Sequence, residues 1–243
     1  MRCRRSTTVL IGVVFASLSV QACIAAPIDE NAFHASDERA HMVATGDLNG
    51  DGIADLISAE PHVLNVLLGT RDGTFQLASS HRLVGEAPRA LVIRDFNGDG
   101  NLDVIVGDEN GTIFEFAGNG KGELGAVGEV AIVGSVVSIA AGAFTHDHQL
   151  DLIVSDQNSN SAIVLLGAGD GTFRQIWSFD LPQRGKEYSL AAVDFNGDGI
   201  ADIVITSEDD EGNYEVMLGT GNGTFTYAPQ LSHLRDPNSY CPT

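Results

Sequence analysis

Three nine-residue segments space oxygen-bearing side chains in the way that a hard cation requires. They read DLNGDGIAD from Asp47, DFNGDGNLD from Asp95 and DFNGDGIAD from Asp194. When such a loop curls, positions 1, 3 and 5 turn their side-chain oxygens inward, position 7 offers a backbone carbonyl and position 9 adds a carboxylate. Glycine at position 6 permits the sharp turn. The expected ligands are Asp47, Asn49, Asp51, the Ile53 carbonyl and Asp55 in the first loop. The second uses Asp95, Asn97, Asp99, the Asn101 carbonyl and Asp103, and the last Asp194, Asn196, Asp198, the Ile200 carbonyl and Asp202. An all-oxygen anionic cage suits Ca²⁺ better than Mg²⁺, because Ca²⁺ tolerates irregular loop geometry. About three Ca²⁺ sites are therefore expected. The competing reading is a set of solvated Asp-Gly turns that bind nothing. Against it, carboxylates crowded into these frames repel one another unless a counter-ion intervenes.

These loops are not EF-hands. An EF-hand needs a bidentate Glu at position 12 and flanking helices, whereas position 12 here is Ser58, Val106 or Ile205 in a β-branched run. A fourth, degenerate copy, AFTHDHQLD, starts at Ala143. Ala143 and Thr145 replace the first two ligands and His148 the glycine, leaving Asp147 and Asp151. The expectation is a site that has lost its metal. The sharper alternative is a transition ion held by His146, Asp147 and His148.

The loop copies start about 50 residues apart, each in the same context, which marks an internal repeat. A short apolar segment precedes each loop, as in Met42 to Thr45. A β-branched run follows, as in Val104-Ile105-Val106. A third run comes next, as in Ala162 to Leu166, and then a Gly-rich turn opens a fourth, as in Gly171-Thr172-Phe173. Short β-rich runs bounded by Gly, Asn and Asp are strands. No stretch downstream of the leader shows capped helical periodicity. Each repeat is thus a four-stranded antiparallel meander, and such sheets must stack face to face to bury themselves. The expected fold is all-β, a small β-propeller of about four blades at 41–88, 89–135, 136–186 and 187–232. The alternative is an open blade array completed by oligomerisation. Residues 27–40 precede the blades, and Asp29 to Ser36, with Phe33, is the candidate outer strand that closes the last one. Residues 233–243 form a tail.

Residues 1–26 read as a signal peptide. Arg2, Arg4 and Arg5 form a basic start, and Val9 to Val20 is an apolar run too short to span a bilayer. The stretch ending Ala22-Cys23 resembles a lipoprotein cleavage site, with Cys23 as the lipidated residue; ordinary cleavage after Ala25 or Ala26 is the alternative. Cys241 lies near the other end, and in an oxidising compartment it could pair with an unmodified Cys23. Ordinary cleavage implies secretion or a periplasmic location, and the lipoprotein reading a lipid anchor at the outer surface.

The chain has 243 residues, with 33 Asp and Glu against 13 Lys and Arg, for a net charge of −20. Losing the leader would remove three arginines and make the balance more acidic. Such a surface repels nucleic acid and anionic membranes. Polycations, neutral glycans or metal ions are the better candidates as partners, with an extracellular protein as the other ligand class. The sequence carries no G-x-S-x-G, H-E-x-x-H, C-x-x-C or phosphate loop. His34, His41, His62, His81 and His233 are scattered. Trp177 could stack on a sugar, but in its strand pattern it is expected to pack between blades.

The repeat resembles the FG-GAP/VCBS family, whose blades carry this calcium loop between their first two strands, as in integrin α-subunit propellers. The resemblance covers nearly the whole chain after the leader. It implies an extracytoplasmic propeller used for adhesion or ligand binding, with three of the four loops fit for metal. It names no ligand. Three function classes stand: a glycan- or protein-binding module, an extracellular enzyme of polysaccharide-lyase or hydrolytic type, and a structural assembly component.

Overall fold

The computed structural model describes residues 42–83, 87–132, 134–181, 187–207 and 214–228. Each repeat folds into one antiparallel four-stranded sheet whose strands are hydrogen-bonded in chain order. Blade one comprises β1 (Met42–Gly46), β2 (Asp55–Glu60), β3 (Val63–Gly69) and β4 (Phe75–Arg82). Blade two comprises β5 (Pro88–Arg94), β6 (Asp103–Asp108), β7 (Thr112–Gly118) and β8 (Leu124–Ile132). Blade three comprises β9 (Val136–Gly142), β10 (Asp151–Asp156), β11 (Ser161–Gly167) and β12 (Phe173–Asp180). Blade four comprises β13 (Tyr188–Val193), β14 (Asp202–Ser207), β15 (Tyr214–Gly219) and β16 (Phe225–Tyr227).

The innermost strands β1, β5, β9 and β13 stand side by side in that order, which is the arrangement of propeller blades around a hub. Among the described residues the series is open, because β13 lies along β9 but not along β1. Four blades are present, and among the described residues they do not close into a ring. The leader, Cys23, the segment Asp29 to Ser36 and Cys241 lie outside the described residues. Among the described residues the outermost strand of blade four is the short β16.

The core consists of three apolar layers, one between each pair of successive blades. Ile57, Leu64 and Val66 of blade one meet Val104, Val106 and Phe116 of blade two. Ile105 and Ile113 of blade two meet Leu152, Val154 and Leu165 of blade three. Ile153 and Val164 of blade three meet Ile203, Ile205 and Phe225 of blade four. Strands β6 and β10 are buried on both faces because they sit inside the stack. Alternate residues of one strand therefore feed two different layers, which explains the unbroken β-branched runs at these positions.

One layer contains a charge-bearing intruder. Glu115 of β7 pairs across the sheet with Ile105, two residues after the ninth loop position. The equivalent partners in the other blades are Val66 with Ile57, Val164 with Ile153, and Val216 with Val204. Glu115 is 2% exposed, and neither carboxyl oxygen has a hydrogen-bond partner. Burial, with the charges of Asp103 and Asp170 nearby, pushes its carboxyl up to about 7. The proton is bound more tightly in the folded state, so the stability present at low pH is lost as pH rises from the unfolded value towards about 7. A shift of this size corresponds to about 3 kcal/mol. Glu115→Val, which restores the residue of the other three blades, is expected to raise Tm. The gain should be larger at pH 8 than at pH 5, as calorimetry at the two pH values would measure.

Candidate functional site

The four loops connect the first and second strands of each blade. Strand pairing resumes where the ninth loop residue faces the end of the first strand, as in Asp55 opposite Gly46 and Asp103 opposite Arg94. Within the first loop, Asp47 accepts hydrogen bonds from the backbone N–H groups of Gly50 at 2.8 Å, Asp51 at 3.1 Å and Gly52 at 2.8 Å. The Asn49 side-chain oxygen accepts from Asp51 N–H at 3.0 Å, and Asp51 Oδ1 accepts from Ile53 N–H at 2.8 Å. The second loop repeats the pattern through Asp95, Asn97 and Asp99, and the last through Asp194, Asn196 and Asp198. Backbone N–H donation, led by Gly199, holds the Asp194 carboxyl below its usual range. Each loop is thus curled by its own backbone around its first carboxylate.

The side chains at positions 3 and 5 stand together in two of the loops. Asn49 Nδ2 donates to Asp51 Oδ2 at 3.1 Å, and Asn196 Nδ2 donates to Asp198 Oδ2 at 2.9 Å. In the second loop Asn97 turns its amide towards Asp103 instead, at 3.4 Å.

The ninth position behaves differently. Asp55, Asp103, Asp151 and Asp202 are each fully buried. Each carboxylate bridges two backbone N–H groups, one from the second residue of its own loop and one from the glycine that ends the third strand. The lengths are 2.8 Å to Leu48 and 2.8 Å to Gly69 for Asp55, and 2.9 Å to Phe96 and 2.9 Å to Gly118 for Asp103. For Asp151 they are 2.8 Å to Phe144 and 3.0 Å to Gly167, and for Asp202 2.9 Å to Phe195 and 2.8 Å to Gly219. The partner must be glycine. A Cβ at Gly69, Gly118, Gly167 or Gly219 would lie 2.0 to 2.5 Å from the carbonyl oxygen of the eighth loop residue. Burial outweighs the donated hydrogen bonds and raises the carboxyl of Asp103, and that of Asp151 to about 6.

Asp151 makes this clamp in the loop where Ala143 and Thr145 stand at the first and third positions, so the clamp does not need the full ligand set around it. The ninth residue is therefore a structural tie in every blade. The outward oxygen donors of the first loop are the side chains of Asp47, Asn49 and Asp51. Among the described residues no three His, Cys, Asp or Glu side chains converge to hold an ion unaided. Any cage must draw on the amide at position 3, on backbone carbonyls such as those of Ile53, Asn101 and Ile200, and on solvent.

The degenerate loop keeps the same backbone path. His148 takes φ 59°, in the left-handed region that Gly52, Gly100 and Gly199 occupy in the other loops. Thr145 Oγ1 donates to Asp147 at 2.6 Å, which holds that carboxyl below its usual range. His146 N–H donates to Gly221 O of blade four at 3.2 Å, so this loop serves as a blade contact. His146, Asp147 and His148 do not form a three-residue metal cluster. Trp177 packs between blades as expected, stacked on Phe225 of blade four at 6.2 Å between ring centroids.

The FG-GAP-like repeat profile matches residues 47–106, 95–154, 147–205 and 194–242. The chain belongs to the FG-GAP-like repeat family. No curated protein matches this FG-GAP-like chain in sequence. Several solved structures share its fold. A lectin of Agrocybe aegerita that recognises non-reducing terminal N-acetylglucosamine is 20% identical, with a TM-score of 0.53, over 77% of this chain and 51% of the lectin. BBS1N, solved in complex with ARL6DN, is 18% identical, with a TM-score of 0.53, over 76% of this chain and 54% of that one. A Bacteroides uniformis protein assigned provisionally as a 6-phosphogluconolactonase is 16% identical, with a TM-score of 0.56, over 76% and 55%. The chain spans about half the length of these structures.

Substitutions separate the two kinds of aspartate. Asp55→Ala or Asp151→Ala strands two buried N–H groups and is expected to cost about 2–4 kcal/mol in urea unfolding, equally with calcium and with EDTA. Asp47→Ala should be mild in EDTA and should reduce whatever stabilisation calcium gives.

Proposed function

We propose that this FG-GAP-like chain is an extracytoplasmic, calcium-stabilised binding module whose ligand is a glycan or a protein. The observation that carries the reading is the threefold loop in which Asp, Asn and Asp at positions 1, 3 and 5 are held in one curl by backbone hydrogen bonds. A preformed, all-oxygen donor set suits a hard cation, because little ordering remains to be done on binding. Asp47, Asn49 and Asp51 would hold the ion in the first loop, Asp95, Asn97 and Asp99 in the second, and Asp194, Asn196 and Asp198 in the last. Calcium would supply charge neutralisation and stiffening there.

Membership of a repeat family typical of extracellular proteins supports the location. Among the described residues no helix is long and apolar enough to cross a membrane. The lectin of the same fold supports a glycan as the first ligand class to test, although the likeness reaches only the fold.

Extracellular calcium modules bind at about 10⁻⁴–10⁻³ M. A tenfold excess over such a constant contributes about 1.4 kcal/mol per site. Three sites should therefore raise Tm by about 10 °C between EDTA and calcium, with little response to magnesium. A melt that ignores calcium would show the loops to be self-sufficient turns. A glycan array probed in calcium, with EDTA as control, tests the ligand class. Retention on a defined sugar supports the module, whereas a clean array with intact folding removes the glycan reading.

A further inference from the structure

The three joints between successive blades are copies of one another. In each, the second loop residue of one blade is buried under the first residue of the fourth strand of the next. Leu48 and Leu124 share the apolar layer between blades one and two. Phe96 meets Phe173 edge to face at 5.8 Å, and Phe144 meets Phe225 at 5.0 Å. A backbone hydrogen bond accompanies each pair. Gly122 N–H donates to Leu48 O at 3.1 Å, Gly171 N–H to Phe96 O at 3.3 Å, and Gly223 N–H to Phe144 O at 3.0 Å.

Each end of the array carries half of a fourth joint. In blade four the second loop residue is Phe195, and it is 51% exposed, against 3%, 2% and 0% for Leu48, Phe96 and Phe144. In blade one the fourth strand starts with Phe75, 42% exposed, and continues to Leu77, 64% exposed. Gly73, the counterpart of Gly122, turns its N–H back onto Thr70 O at 3.0 Å. Among the described residues, every large apolar side chain classed as exposed belongs to these two blades: Val43, Phe75 and Leu77 in one, Val193, Phe195 and Tyr227 in the other.

Charge follows the same complementarity. The fourth loop residue of one blade abuts the turn of the next. A Cβ on Gly98 would lie 3.4 Å from Gly169 O, and His146 N–H reaches Gly221 O. In blade one the turn position of Gly169 and Gly221 is occupied by Arg71, a cation. At a fourth joint it would lie against the acidic loop of Asp194 and Asp198.

We propose that this chain completes its blade array with a second copy of itself, the open edge of blade four on each copy docking on the open edge of blade one of the other, to form a two-chain ring. Such head-to-tail contacts close when the rotation per copy is half a turn. Two copies also supply the span of the solved folds, of which this chain covers 51% to 55%. Phe195 then packs on Phe75 of the partner copy as Phe144 packs on Phe225.

The test is the mass of the purified full chain by sedimentation equilibrium, in EDTA and in calcium. A species of twice 25.6 kDa is expected. Phe195→Asp and Phe75→Asp each damage both joints of a ring and should weaken dimerisation at least tenfold. Both residues are already exposed, so circular dichroism should be unchanged. Arg71→Glu should weaken it too, with reduced sensitivity to salt. Mixing Phe195→Asp with Phe75→Asp chains leaves one joint of the mixed pair intact, so the mixture should recover a dimer that neither variant forms alone. A monomeric chain would overturn the proposal, whether its ends are covered by its own terminal segments or left bare. A dimer indifferent to these substitutions, failure of the mixture to recover, or growth into long filaments would overturn it equally.

Discussion

The buried aspartate that ends each loop is the constraint on which each blade depends. One carboxylate ties the start of the loop to the end of the third strand. It satisfies two backbone N–H groups that burial would otherwise leave unpaired, at a site where an orphaned donor costs about 1–3 kcal/mol. Four identical clamps give four blades the same corner geometry. Uniform corners are what allow the second loop residue of one blade to meet the fourth strand of the next in the same way each time.

The stack inherits its specificity from that repetition. Phe96 on Phe173 and Phe144 on Phe225 are alike because the loops that present them are held alike. Elements that break the repeat stand out against it. Glu115 lies where three valines lie, and it brings an unpartnered carboxyl into an apolar layer. Arg71 lies where glycines lie in the other turns. The first has a cost that grows with pH; the second places a cation at an edge that faces an acidic loop in the proposed joint.

Much of this was legible in the residues. The loop motif, its period and the β-branched runs were enough for four antiparallel four-stranded sheets, because turn chemistry and strand patterning agree at every copy. The inward turn of Asp55, Asp103 and Asp202 was not legible, since a metal ligand and a structural clamp require the same residue at the same spacing. One signal was present: Asp151 survives in a loop stripped of Asp and Asn at its first and third positions, as expected of a residue that the fold itself needs. Nor could spacing choose between a closed ring and an open array, because closure depends on the small rotation between blades, which no local pattern encodes. Glu115 could have been found by aligning third strands, where it faces Val66, Val164 and Val216.

Separating the clamp from the outward oxygens has an evolutionary corollary. A loop whose shape is fixed from beneath is free to change what it displays above. Blade three shows the outcome: Ala143, Thr145 and His148 stand at three motif positions, yet Asp151 still faces Gly142 and β10 still pairs with both its neighbours. Drift in the exposed positions can therefore proceed without threatening the scaffold. Each blade becomes an independent platform on which new recognition chemistry can be tried.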